Sequence, residues 1–327
     1  MLVNKSLFGK KIVQPPYLKE GDKVAFVSPA YWLPGKTITQ AAEEVKKWGL
    51  RPVFGRNNNH QDVYAYAGTA DERADDLRWA LEQDDIKAII CTRGGYGSIH
   101  LLDRIPLSVF EEHPKWLIGF GDITSLNCAE VAAGVMSIYG PMSVDIAEKQ
   151  GICVQLLHDI LFGKVPQYVI PADKRNIPGH AEGILVGGNL SSYSALAGTE
   201  YNLAPGHDII LFMEEMEEAL HDIDRLFYML RLQKKFQRIK GVILGEFIAI
   251  QHDLQFDSAE QMIIQHLRRF NIPVCCGFPI GGNNCLPLIE GAQTSLDIDT
   301  TNAVLTFDME GEQTPIHINT LNIPLFK

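Results

Sequence analysis

Residues Trp116 to Asn127, WLIGFGDITSLN, constrain the fold more than any other stretch of the chain. They read as an apolar strand that stops at the glycines either side of Phe120 and restarts as a helix at Asp122. A strand–tight turn–helix corner pushes one side chain out over the edge of a sheet, and α/β enzymes place a nucleophile there. The helix start also aims free backbone N–H groups at whatever sits above it. The residue at the apex of this corner is Gly121, which has no side chain to attack with.

The sequence around the corner repeats the same grammar. Lys23 to Ser28 (KVAFVS) is a β-rich run closed by Pro29, and Ile38, Ala41, Val45 and Trp48 recur at helical spacing before Gly49. Arg51 to Phe54 is a second short strand. Thr69 to Glu72 has the T-x-x-E form of a capping box, and the helix behind it lines up Ala70, Ala74, Leu77 and Leu81. Ile86 to Cys91 is a buried strand by composition, and Val135 to Tyr139 is another, stopped by Gly140–Pro141. Alternating strands and helices indicate a parallel sheet with helices on both faces. Ligands of such sheets sit off the carboxyl ends of the strands. Two glycine turns, RGGYG after Cys91 and GFGD after Ile118, lie at such ends.

The second half has a different character. After an apolar helical run over 151–162, residues 166–181 carry Pro166, Pro171 and Pro178 and read as a linker between a first domain (1–165, its corner at 119–123) and a second (182–327). Strands are expected at 182–190, 208–214 and 242–247, helices at 219–236 and 258–270, and a hairpin over 293–307. This makes the second domain a smaller mixed α+β unit. Residues 1–20 read as a surface arm.

The 327 residues carry a net charge of −11, which argues against nucleic-acid binding and against docking on anionic lipid. No run approaches the length of a membrane span, and the N-terminus lacks the apolar core of a signal peptide, so a reducing cytoplasm is the expected location. The six cysteines form no CxxC pair, and the ten histidines show no H-E-x-x-H spacing, so no metal or cofactor is expected. RGGYGS lacks the spacing of a dinucleotide loop; Arg93 either pairs a substrate carboxylate or braces the turn. Glu214 closes an apolar strand and reads as pointing inward, where a carboxylate can orient a histidine. Glu215, Glu217 and Glu218 behind it read as a solvated edge.

These motifs, in order, resemble the LD-carboxypeptidase family, the S66 serine peptidases, which includes muramoyltetrapeptide carboxypeptidases and microcin C immunity-type enzymes. The resemblance runs through GDKVAFVSPA, YAGTADERADDL, AIICTRGGYGSIHLL, IGFGDITSLN, YGPM, GGNLSSYSALAGT, LFMEEMEEALHDIDRLFYML, GVILGEF, GFPIGG and LPLIEGAQTSLD. It implies a Rossmann-like N-terminal domain, a β-rich C-terminal domain, a Ser–Glu–His triad without a metal, and a homodimer. The activity it implies is hydrolysis of an amide between an L-configured centre and a C-terminal D-amino acid, as in release of D-alanine from a peptidoglycan tetrapeptide.

Carried over position by position, the family pattern breaks twice. Gly121 stands where the family has its nucleophilic serine, and Gly282 where it has its histidine; only Glu214 matches. The loop behind Gly282 looks about one residue short. The oxyanion donors are backbone groups that survive such losses, the N–H of Asp122 and one from Gly94 or Gly95. Three readings follow. The chain binds a peptide-like or muropeptide-like ligand without cutting it, or it is an active carboxypeptidase or amidase with a rearranged site, or it serves only an interaction role. Ser98, Ser125 and Cys285 are the substitute nucleophiles that the second reading would need.

Overall fold

The computed structural model describes residues 11–148, 151–202, 206–233, 237–282 and 285–318. The chain divides into two compact units. Among the described residues, one comprises 11–163 together with 286–291, and the other comprises 164–285 and 292–318.

The first unit alternates strand and helix as the sequence pattern requires. Its elements are β1 (Lys23–Val27), α1 (Gly35–Lys47), β2 (Arg51–Phe54), α2 (Ala70–Glu82), β3 (Ile86–Cys91), α3 (Leu107–Glu112), β4 (Trp116–Gly119), α4 (Thr124–Ala133), β5 (Ser137–Tyr139), α5 (Ser143–Glu148) and α6 (Ile152–Leu161). β5, β4, β3, β1 and β2 lie side by side and are all parallel. The residues of β3 and β4 are buried almost without a break, as strands covered on both faces must be. Thr69 and Glu72 form the anticipated capping box: the Glu72 N–H donates to Thr69 Oγ1 at 3.2 Å and the Thr69 N–H to Glu72 Oε2 at 2.8 Å. β5 starts two residues later than expected because α4 ends at Gly134 in the left-handed conformation and Val135 pairs instead with Val13 in an isolated parallel bridge.

The second unit follows with β6 (Lys164–Pro171), β7 (Gly179–Asn189), α7 (Leu190–Ala195), β8 (Ile209–Met216), α8 (Leu220–Leu232), β9 (Ile239–Ile248), α9 (Ala259–Leu267) and β10 (Val274–Cys276). The chain then lends β11 (Leu288–Glu290) to the first sheet, antiparallel beside β5, before closing with β12 (Gln293–Ile298), β13 (Asn302–Asp308) and β14 (Glu312–His317). The eight-stranded sheet runs β10-β9-β8-β7-β12-β13-β6-β14. Its β10-β9-β8-β7 half is parallel, and β7, β12, β13 and β6 are antiparallel neighbours.

Residues 166–181, expected as a linker, are largely structured. Pro166, Tyr168 and Ile170 are buried at strand spacing, so this proline serves the core, and Pro171 falls at the strand's last position. The anticipated hairpin is the β12–β13 pair. The helix expected over 219–236 is α8, and residues 234–236, like the N-terminal part of the arm, lie outside the described residues. No helix among the described residues is long and apolar enough to cross a membrane.

Candidate functional site

Around the corner the first unit builds a compact scaffold. β4 ends at Gly119, Phe120 is extended, and Gly121 takes φ +63° before the chain enters the helical turn at Asp122. This left-handed step is what glycine accepts most easily. A Cβ placed on Gly121 would meet no atom within 4 Å, so the apex opens into free space. The Gly121 N–H donates to Tyr139 Oη at 3.2 Å, which ties the apex to β5 beneath it. Tyr139 was not picked out from sequence; its place in the YGPM motif was the available signal.

Asp122 joins the corner to the RGGYG turn. Its carboxylate accepts from the Ser98 N–H at 2.9 Å and the Gly97 N–H at 3.3 Å, and its carbonyl accepts from Ser98 Oγ at 2.5 Å. Burial raises the Asp122 acid above the usual carboxylate range, against the pull of these hydrogen bonds and of Arg73. Gly94 closes the gap: a Cβ there would sit 3.4 Å from the Phe120 carbonyl oxygen and 3.5 Å from the Asp122 nitrogen. Gly95, at φ +106°, leaves room for the Tyr31 ring, which any side chain at that position would overlap. The Arg93 guanidinium lies 5.9 Å from the Tyr31 ring centroid and forms no ion pair with any described residue. Gly121, Asp122, Gly94, Gly95 and Arg93 thus belong to one neighbourhood of this unit.

The second unit carries the other two sequence-predicted positions. Glu214 stands near the end of β8 and is 3% exposed, in the inward orientation read from the sequence. β7 comes close beside it through Gly187 and Gly188, and Asn189 is its partner in the register. Gly281 packs on Glu214 so tightly that a Cβ would fall 2.8 Å from Oε2. Gly282, at φ +54°, is closed in: a Cβ there would overlap Ile248 Cδ1 and lie 2.8 Å from Glu246 Oε2. Residues 283–284, in the loop that looked one residue short, lie outside the described residues.

Glu215 corrects the sequence reading. It is buried, not solvated, and accepts from Asn189 Nδ2 (2.6 Å), the Ser191 N–H (2.8 Å), Ser191 Oγ (2.6 Å) and the Met216 N–H (2.9 Å). Adjacent strand residues face opposite sides of a sheet, so Glu214 and Glu215 address different surroundings. This donor set holds Glu215 as a structural anion at the start of α7.

The substitute nucleophiles have other employment. Ser98 gives its hydroxyl to the Asp122 carbonyl. Ser125 is 1% exposed within α4, every residue of which is buried. Cys285 is 3% exposed. Burial also pushes the thiols of Cys91, Cys275 and Cys276 up, that of Cys276 to about 12, which keeps them as unreactive thiols.

A substitution at the apex tests this geometry directly. Gly121→Ser should fold and lose only about 1–2 kcal/mol, the cost of a left-handed L-residue, since no atom opposes the side chain. Denaturant titration of both proteins measures it, and a larger loss would mean the space is closed.

The sequence matches the LD-carboxypeptidase N-terminal domain over residues 24–140 and the LD-carboxypeptidase C-terminal domain over residues 182–296. It is 29% identical over 306 residues to a probable murein peptide carboxypeptidase of Bacillus subtilis, covering 89% of this chain and 94% of that one. A murein tetrapeptide carboxypeptidase of Pseudomonas aeruginosa is 26% identical over 271 residues, covering 79% of this chain and 87% of the relative. Among solved structures, the microcin C7 self-immunity protein MccF in complex with aspartyl sulfamoyl adenosine aligns with a TM-score of 0.77 at 23% identity, over 91% of this chain and 98% of its own. A muramoyltetrapeptide carboxypeptidase from Oxalobacter formigenes aligns with the same TM-score at 23% identity, over 88% and 99%. The two structural likenesses show a shared fold, and the two domain matches, in order and spanning most of the chain, show that this protein belongs to the LD-carboxypeptidase (S66) family.

Proposed function

We propose that this family member binds a peptidoglycan-type L,D-peptide and does not hydrolyse it at the rate of an enzyme with the full triad. The observation that carries the reading is the contrast between two glycines. At Gly121 the corner keeps the shape a nucleophile needs and leaves its side-chain space open. At Gly282 a Cβ would overlap Ile248 Cδ1 and crowd Glu246 Oε2, so any side chain there first has to displace those two. Glu214 alone leaves the family's relay without its attacking hydroxyl and without the imidazole that takes its proton.

The binding half of the site is the part that persists. The N–H groups of Asp122 and of Gly94 or Gly95 serve as donors to the peptide carbonyl, and Arg93 receives the terminal carboxylate. Arg93 suits that role because, among the described residues, its guanidinium makes no ion pair and lies against the face of Tyr31. The relatives' names support the ligand class: two of them are named for murein peptides. The same reading takes the chain as a cytoplasmic homodimer, which light scattering tests.

Calorimetry with an L,D-tetrapeptide ending in D-alanine tests the proposal. Binding without D-alanine release is the expected result, and no binding at millimolar peptide would end it. Arg93→Ala should weaken the affinity by roughly tenfold or more, as loss of a charge-assisted pair does. An unchanged affinity in that variant would remove Arg93 from the site while leaving the rest.

A further inference from the structure

Beneath the corner lies a group of polar side chains with no place in the binding reading. Asn127, Glu130, Ser137 and Glu290 all have 0% exposure. Asn127 and Glu130 are one turn apart on α4, Ser137 opens β5, and Glu290 closes β11, directly opposite Ser137 in the register. β11 is the segment that the chain lends to this sheet after Cys285. Two carboxyls at zero exposure call for a reason, since a buried unpaired charge is costly.

The hydrogen bonds tell the two acids apart. Asn127 Nδ2 has two hydrogens and uses both: one goes to the Gly119 carbonyl at 3.0 Å, the other to Glu290 Oε1 at 3.1 Å. Gly119 is the last residue of β4 before the corner, and its carbonyl also accepts from the Gly140 N–H at 3.3 Å. Glu290 therefore has a donor that rewards a negative charge. Glu130 is less well served: neither Oε1 nor Oε2 finds a well-formed hydrogen bond among the described residues, and the looser approaches of the Ser137 hydroxyl and the Leu117 N–H lower the acid less than burial raises it. The Ser137 hydroxyl that faces it is committed to the Leu117 carbonyl at 3.0 Å.

We propose that Asn127 and Glu290 are positioning residues for the Gly119–Gly121 corner, and that Glu130 is built into the fold as the neutral acid so that Glu290 alone carries the charge. In this arrangement the charged carboxylate strengthens its hold on the Asn127 amide, and that amide fixes the carbonyl from which the corner departs. Two carboxylates this close and this dry would not both ionise. Burial lifts the Glu130 acid well above the ordinary glutamate value, and the neighbouring Glu290 adds to the lift. The other titratable groups around it do not undo this. Lys115 pulls the opposite way, but its Nζ donates to the Leu81 carbonyl, and the buried Cys91 thiol on β3 stays protonated.

The arrangement makes two variants behave oppositely. Glu130→Gln keeps a neutral donor and acceptor of the same shape. An acid held neutral in the fold binds a proton that the unfolded chain has released, so its contribution to stability is lost as the pH rises past the unfolded value of about 4.3. Glu130→Gln should therefore unfold at a higher denaturant concentration than the wild type at pH 8, with the difference vanishing near pH 4. Glu290→Gln removes the charge instead and should be less stable than the wild type at pH 8. In that variant and in Asn127→Leu, amide exchange at Gly121 and Ile123 should quicken by about tenfold, roughly what one lost hydrogen bond to a charged group gives. Amides of β1 should stay as they are.

A measurement on the wild type stands in should a variant fail to fold. An infrared difference spectrum at pH 7, taken with carbon-13-labelled glutamate, should contain a protonated carboxyl band. Absence of that band, or the reverse order of the two glutamine variants, would reject the neutral Glu130. Unchanged exchange at Gly121 and Ile123 in both Asn127→Leu and Glu290→Gln would reject the positioning role. Neither result depends on the identity of any ligand.

Discussion

An L,D-tetrapeptide should be bound by the purified protein and left uncut: D-alanine release should run about 10⁶-fold below that of a family member with a complete triad. What remains after loss of nucleophile and base is binding and oxyanion stabilisation, about 10³–10⁴-fold over the uncatalysed rate. In the proposed reading the N–H groups of Asp122 and of Gly94 or Gly95 would supply that residue of catalysis. Gly121→Ser by itself should add almost nothing, because a serine without a base is a weak nucleophile. Gly282→His by itself supplies a base with nothing to activate, and its side chain would first have to displace Ile248 Cδ1 and Glu246 Oε2. Turnover at ordinary enzyme rates by the unaltered chain would overturn the reading, most clearly if Glu214→Ala abolished it.

The largest effect on stability is expected at Gly187. Gly187→Ala should cost at least ~3 kcal/mol or prevent folding, whereas Gly121→Ala should cost about 1–2 kcal/mol. Both positions have positive φ, +156° at Gly187 and +63° at Gly121. The difference lies in what a methyl group would meet. At Gly187 it would overlap the Phe212 carbonyl of β8, and a sheet backbone cannot step aside as a flexible side chain can. Gly187 and its neighbour Gly188 let β7 run close along Phe212 and Met213, the two residues before Glu214. Chemical denaturation of the two alanine variants decides the matter, and similar losses in both would show that φ alone sets the cost.

Much of the fold could be read from local pattern. The capping box at Thr69–Glu72, the buried runs of β3 and β4 and the hairpin over 293–307 are all dictated by spacing within a dozen residues. The corner was legible for the same reason: an apolar run, two glycines and a helix start are contiguous. Where the sequence misled, a long-range partner was the cause. The segment over 166–171 looked like a linker by its prolines, yet it becomes a strand because β13 and β14 flank it. Glu215 looked solvated beside three other acids, yet Asn189 and Ser191, 26 and 24 residues earlier, enclose it.

The sequence by itself determined the alternation of strands and helices, the glycine at the apex and the inward-facing Glu214, because each follows from residue type and near-neighbour periodicity; the family followed separately, from an ordered run of motifs that resembles it. Only the tertiary structure decided that the space over Gly121 is open and the space at Gly282 is filled. It alone placed Glu290, 163 residues beyond Asn127, under the corner. The physical reason is the same in each case. Whether a site can hold one more side chain, and whether a buried acid can hold its charge, depends on atoms brought in from elsewhere in the chain.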